Sequence, residues 1–140
     1  MRILLAVDGS EVGATLLRRV AKLAKELAVP PTLHVLTVVP ALSRAAEKEF
    51  GKAGPQGYYG DQAETALKPL RPLLKRTGLE WVEHRAVGEA VATILAEAKA
   101  AKVDMIAIGS HGKGAIKTLL VGSVTQKVVA LSPVPVLVVH

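Results

Sequence analysis

Met105-Ile106-Ala107-Ile108-Gly109-Ser110-His111-Gly112, followed nine residues later by Gly122-Ser123-Val124, is the stretch that decides how this chain folds. Met105 to Ile108 is a short, unbroken apolar run, as a parallel strand covered on both faces requires. Val124 to Leu131 has helical spacing and opens at Ser123. Residues 110–122 lie between them, far more than the roughly 2–6 residues that usually join a strand to the next helix. A connection of that length predicts a binding loop. Glycines can take positive φ and let backbone N–H groups come close to a ligand, and a helix N-terminus adds unpaired donors and the positive end of a dipole. Together these features predict a phosphate cradle. Gly112 and Gly114 would also suit a flexible turn, and Ser123 an N-cap. The usual nucleotide motifs are absent: there is no G-x-x-x-x-G-K-[ST], and Lys117 stands where Gly112-x-Gly114 would need the third glycine of G-x-G-x-x-G.

Outward from this loop, apolar runs alternate with helical periods. The pattern predicts strands near 2–7, 32–39, 80–87, 104–109 and 134–139, and helices near 11–28, 61–77, 89–102 and 123–131. A β-α-β-α-β-α-β-α-β alternation implies a single doubly wound α/β domain over residues 1–140, with a parallel sheet and helices on both faces. Residues 40–60, rich in glycine, read as an insertion in which Ser43 to Phe50 could form a short helix. Ligands of such sheets bind beyond the carboxyl ends of the strands where the order reverses. The candidate residues follow the first strand (Asp8) and the fourth (Gly109), so these two strands are expected to be neighbours.

Composition narrows the function classes. Half the residues are hydrophobic but only 3% are aromatic, so the core must be built from Ala, Val, Leu and Ile. There is no cysteine, hence no disulfide framework or thiolate metal site. Asp8 stops the first apolar run well short of a signal peptide, and no run reaches membrane-span length, which makes cytoplasmic the expected location. The net charge of +6 invites a nucleic-acid reading. Arg18, Arg19, Lys22 and Lys25, however, share a helix whose other face carries Val12, Leu16, Val20, Leu23 and Leu27, the layout of a solvated face. Trp81 and the few other aromatics form no stacking platform, so nucleic acid is not the expected partner. The absence of Asn and Cys, together with eight prolines, predicts high thermal stability.

Gly109, Gly112, Gly122 and Ser123 fit G-x-x-G-x(9)-G-[ST], and at these residues the chain resembles the ATP-binding branch of the universal stress protein family. Ile3 to Ser10 is similar to the family's opening strand and its acidic residue, Leu33-His34-Val35 to its second strand, and Pro133 to Val139 to its closing strand. The resemblance implies a sheet order of 3-2-1-4-5. Pro135, which cannot donate to a ladder, and Glu80, Glu83 and Arg85, which interrupt the third strand, agree with edge positions for strands five and three. It also implies ATP as ligand, whose phosphates Mg2+ could bridge because magnesium needs only one or two carboxylates beside a nucleotide, and it adds to the expectation of a homodimer through the last strand, where Val136 to Val139 is an apolar run at a sheet edge.

Site roles follow with different support. Gly109, Gly112, Gly122 and Ser123 should surround the phosphates, with donors from the backbone of Gly112, Ser123 and Val124 and from the Ser123 hydroxyl. By resemblance, Asp8 accepts from ribose or base, Val35 reads adenine through its main chain, and Ala6 and Val7 line the pocket. Asp8 could instead cap the following helix. His111 could donate to the nucleotide or simply face solvent. Lys113, Lys117 and Lys127 would raise the local potential. His34, His84, His111 and His140 show no metal-binding spacing. Ser123, His111 and Asp8 match the residue types of a hydrolase triad, but Ser110 lacks the nucleophile-elbow context. No base and charge clamp for rapid phosphoryl transfer is identifiable. The expected function is a nucleotide-binding regulatory or stress-response protein with at most slow ATP turnover. Its rivals are a family member acting only through protein contacts, a basic-surface nucleic-acid binder, and a nucleotide-dependent enzyme of related fold.

Overall fold

The computed structural model describes residues 1–112 and 121–140. Five strands form one parallel sheet: β1 (Arg2–Val7), β2 (Thr32–Val39), β3 (Trp81–Val87), β4 (Met105–Gly109) and β5 (Val136–Val139). Their order is β3-β2-β1-β4-β5, which puts β1 beside β4 and leaves β3 and β5 at the edges. Among the described residues, six α-helices accompany the sheet: α1 (Glu11–Ala24), α2 (Arg44–Lys48), α3 (Gln56–Leu67), α4 (Arg71–Thr77), α5 (Ala90–Ala100) and α6 (Ser123–Leu131).

The core has two halves, one on each face of the sheet, because strand side chains alternate between faces. Ile3, Leu5, Val7, Leu33 and Val35 pack with Leu16, Leu17 and Val20 of α1, Leu67 of α3 and Leu74 of α4. Leu4, Leu36, Ile106 and Ile108 pack with Val91, Ile94 and Ala98 of α5 and Val128 of α6. β1 and β4 are apolar on both faces for this reason, as the unbroken runs Ile3 to Val7 and Met105 to Ile108 predict.

Several boundaries differ from the sequence reading. The helix predicted over 11–28 ends at Ala24. The chain must reach β2 at Thr32, and Pro30 and Pro31 lock φ and disfavour helix just before them. The helix predicted over 61–77 begins earlier, at Gln56, and is interrupted by a 3-10 turn at Lys68–Leu70 before α4. Pro69 and Pro72 have no N–H to donate, and each is tolerated at the start of a new segment. Residues 43–50 do contain a short helix, capped by Ser43, whose hydroxyl accepts the Ala46 N–H at 3.2 Å. β5 starts two residues late, at Val136, because the Pro135 carbonyl accepts from Ile106 but its nitrogen cannot donate.

Edge strand β3 carries an ion network on one face. Arg71 pairs with both Glu64 and Glu83, and Arg85 also reaches Glu64 at 2.8 Å. The Arg71 hydrogen bond is the main reason Glu64 titrates at about 2. This explains the charges that interrupt the apolar pattern of β3: they tie the edge strand to α3 and α4.

Candidate functional site

The connections leaving β1 and β4 diverge beyond their carboxyl ends, and a cavity of about 370 Å³ opens there. Among the described residues, Ala6, Val7, Asp8, Gly109, His111, Gly112, Gly122, Ser123 and Val124 all line it. These are nine of the ten site residues expected from the sequence. Gly114, Lys113 and Lys117 lie outside the described residues.

Val35 is elsewhere. Its side chain is buried on the opposite face, among Leu5, Leu33 and Leu67, and its backbone lies mid-ladder between Leu5 and Glu83. The β2 residues at the cavity are Leu36 and Val38. The β1 register ends at the Val7–Thr37 pair, so β2 runs past β1 and brings Val38 to the opening. Strand alternation could have found them: Ala6 pairs with Leu36, and Val38 is the next residue on that face. Ala90 and Ile94 of α5 and Ile108 of β4 extend this apolar wall. The α5 N-terminus is held by Glu89, whose carboxylate accepts from Val91 N–H at 3.1 Å and Ala92 N–H at 2.7 Å. Those two backbone bonds hold the Glu89 carboxyl below its ordinary range.

Asp8 lines the cavity and closes the turn into α1, although the N-cap of that helix is Ser10. Its Oδ1 accepts the Ser10 N–H at 2.9 Å, closing the turn into α1, while Gly9 supplies the positive φ of 79° that the turn requires. Its Oδ2 lies against Gly112, where an added Cβ would come within 2.5 Å of it. Gly112 therefore lacks a side chain because the Asp8 carboxylate occupies that space. Gly109 lacks one for a different reason: an added Cβ would lie 2.3 Å from Val12 Cγ1 of α1 and 3.2 Å from the His111 carbonyl oxygen. Neither glycine has the positive φ that the sequence allowed; at both, close approach is the requirement.

Ser110 anchors the loop. It is 2% exposed, its N–H donates to Val139 O at 2.7 Å, and its carbonyl accepts the Gly122 N–H at 2.6 Å. Its hydroxyl bonds His111 Nδ1 at 2.9 Å. Thr125, also buried, donates from Oγ1 to the Gly109 carbonyl at 2.7 Å. These bonds seat the start of α6 against the end of β4. Gly122 is the N-cap of α6 and Ser123 its first residue, so the N–H groups that the first turn cannot satisfy internally belong to residues lining the cavity. The arrangement offers backbone donors and a dipole end on one side and an apolar wall from Leu36, Val38, Ala90 and Ile94 on another.

Sequence reasoning also missed Ser10. It is the N-cap residue of α1, yet its side chain caps nothing; the residue is one of those lining the cavity, while its Oγ is buried with no hydrogen-bond partner among the described residues. Among the described residues, no group of three or more His, Asp or Glu side chains is placed to hold a metal ion, and no helix is long and apolar enough to cross a membrane.

Fold and cavity together define a doubly wound α/β protein with a glycine-lined cleft at its topological switch point. The model of the universal stress protein family matches residues 1–140, and the chain belongs to that family. It is 34% identical over 154 aligned positions to a universal stress protein of Thermus aquaticus, covering 99% of this chain and 97% of the relative. The solved structure of MJ0577, a universal stress protein of Methanocaldococcus jannaschii, has a TM-score of 0.83 at 28% identity, covering 99% of this chain and 94% of that one. The universal stress protein of Archaeoglobus fulgidus, solved in complex with dAMP, shares the fold with a TM-score of 0.62 at 22% identity, covering 100% of this chain and 98% of that one.

Proposed function

We propose that this chain is an ATP-binding regulatory protein of the stress-response type that holds adenine nucleotide in the cleft between β1 and β4. The observation that carries the reading is the convergence on one cavity of Asp8, the Gly109–Gly112 turn and the first residues of α6. The chemistry fits a nucleotide: apolar side chains for the base, and backbone N–H groups at a helix start for phosphates. In this reading Gly112, Gly122, Ser123 and Val124 take the phosphates, Ala6, Val7, Leu36 and Val38 enclose the base, and Asp8 faces the sugar. The dAMP held by the Archaeoglobus relative is likewise an adenine nucleotide. Mg2+ would enter on the phosphates, since magnesium needs few protein ligands when phosphate oxygens supply the rest.

The same reading makes the protein a cytoplasmic homodimer. Among the described residues β5 has a partner on one side only, β4, and Val129 and Leu131 of neighbouring α6 are 50% and 63% exposed. An edge of that kind is blunted by pairing with a second copy. Mass spectrometry of small molecules released from the gently purified protein tests the ligand assignment. Adenine nucleotide is expected; a ligand of another class would overturn it.

A further inference from the structure

Two histidines and a glutamate join β2, β3 and α5 beside the cavity. His34 Nδ1 lies 2.9 Å from His84 Nε2, and His84 Nδ1 lies 3.5 Å from Glu97 Oε2. On β2, His34 shares a face with Leu36 and Val38, which line the cavity, and Leu36 is the register partner of His84. On α5, Glu97 follows Ala90 and Ile94 of the cavity wall at the spacing of a single helical face. The cluster therefore continues the seam between β2 and α5 that forms the apolar wall. His34 Nε2 is buried, with no hydrogen-bond partner among the described residues. Arg2 of β1 is the other charge acting on His34; its backbone N–H donates to Asp104 at 2.6 Å and its guanidinium to the Ala101 carbonyl at 3.3 Å.

The ring hydrogens fix where a proton can go. With both rings neutral, the network is satisfied best when His84 Nδ1–H points to Glu97 and His34 Nδ1–H donates to His84 Nε2, which leaves His34 Nε2 as the bare nitrogen. The opposite tautomers would set a lone pair against the Glu97 carboxylate and bury an unpaired N–H. A further proton gives the pair three hydrogens: one toward Glu97, one shared between the rings, and one on His34 Nε2, whichever ring is drawn as charged. Acid thus creates a donor at a buried atom that has no acceptor. Burial, then His84 and then Arg2 hold the His34 pKa below its ordinary value in keeping with this. On the reading that the cavity holds a nucleotide, we propose that His34, His84 and Glu97 form a proton switch that weakens ligand binding in acid. The charged pair needs water at His34 Nε2, and water reaches that atom when α5 moves off β2. The same movement parts Ala90 and Ile94 from Leu36 and Val38, which opens the wall around the ligand. Protonation and binding then oppose each other, and reciprocity requires bound ligand to lower the proton affinity of the pair.

The test is the ATP affinity of wild type and His34→Leu, measured by calorimetry at about pH 7.5 and pH 5.0, with circular dichroism as the folding control. Titration of ATP itself, of Asp8 and of His111 acts on both proteins alike, so the comparison isolates the switch. Between the two pH values wild type should lose about 3- to 10-fold more affinity than the variant, the effect of a ligand-induced change of roughly 0.5–1 in the apparent pKa of the pair. Equal losses overturn the proposal. Wild type alone supplies a second reading, independent of whether the variant folds: the ring resonances of His34 and His84, followed by NMR over the same range, should titrate at lower pH with saturating ATP than without it. Titration at the same or a higher pH with ATP overturns the proposal. Failure of wild type to bind ATP at pH 7.5 would instead refute the nucleotide reading itself.

Discussion

Replacing Gly109 by Ala should damage the fold before it damages any ligand contact. The added Cβ would lie 2.3 Å from Val12 Cγ1, where carbon atoms prefer about 3.5–4.0 Å, and 3.2 Å from the His111 carbonyl oxygen. The Val12 side chain can rotate away, but the carbonyl belongs to backbone held through Ser110, so strain remains after the rotation. Overpacking of this kind costs about 1–3 kcal/mol, and the loss of unfolded-chain freedom from Gly to Ala offsets about 0.4–1 of it. A net destabilisation of about 1–2 kcal/mol is expected. With about 2.1 cal/mol/K of unfolding entropy per residue, a chain of 140 residues loses about 3.4 °C per kcal/mol, so the melting midpoint should fall by about 3–7 °C. Differential scanning calorimetry without nucleotide measures this. Val12→Ala in the same chain removes Cγ1 and should return part of the loss, a coupling that a double-mutant cycle detects. A Gly109→Ala variant melting at the wild-type temperature, or no coupling to position 12, would refute the assignment of Gly109 to packing.

Three further outcomes follow from other parts of the molecule. The His34 pKa is lowered from 6.5, first by burial and then by His84 and Arg2, while Glu97 faces the pair from α5 at 3.5 Å from His84 Nδ1. The unfolded chain then binds more protons near and below pH 6.5, so stability that is full above that pH should decline as the pH falls through it. Urea midpoints between pH 7.5 and 5.5 should show this decline in wild type and a flatter profile in His34→Leu; identical profiles would contradict it. Val138→Lys, checked for folding by circular dichroism, should be monomeric by light scattering, and a folded dimer would refute pairing through β5. The nucleotide-free protein should melt above the ordinary range of about 45–65 °C, and a midpoint within it would count against the compositional reading.

What the sequence made legible, and what it hid, follows from the range of each interaction. β2 is found where its pattern places it, and the order 3-2-1-4-5 follows from the loop motif and the family resemblance, because strand alternation and loop–ligand logic are local signals. α3 begins inside the glycine-rich segment because Gly57 and Gly60 are tolerated in a helix anchored elsewhere: the Tyr59 hydroxyl donates to Glu47 at 3.0 Å and accepts the Leu42 N–H at 2.9 Å, and Ala63 and Leu67 are buried. Nothing near those glycines in sequence announces such tertiary bonds. In the site, Gly109 and Gly112 were visible as a motif, but their separate neighbours, Val12 and Asp8, come from distant parts of the chain. Val35 enters by likeness to a family strand, whereas the β2 residues that line the cavity are Leu36 and Val38, on the other face of the sheet, which only the strand register reveals.

The claim that the Gly109–Ser123 loop forms a nucleotide site is tested most directly at Gly122. This N-cap has φ −71° and ψ 157°, a conformation open to any residue, and among the described residues an added Cβ would meet the Ser110 oxygen at 3.4 Å and His111 Cα at 3.9 Å. Gly122→Val should therefore fold while filling the side of the cavity assigned to phosphate. Calorimetric titration with ATP and magnesium should show saturable binding to ligand-stripped wild type. If ATP binds only the folded state, a free concentration one hundred times Kd should add roughly 2.7 kcal/mol to its stability. The folded Gly122→Val variant should show neither effect. No binding to wild type, or unchanged binding to the variant, would contradict the account, and salt-sensitive binding of DNA or RNA in place of ATP would turn attention to the basic surface.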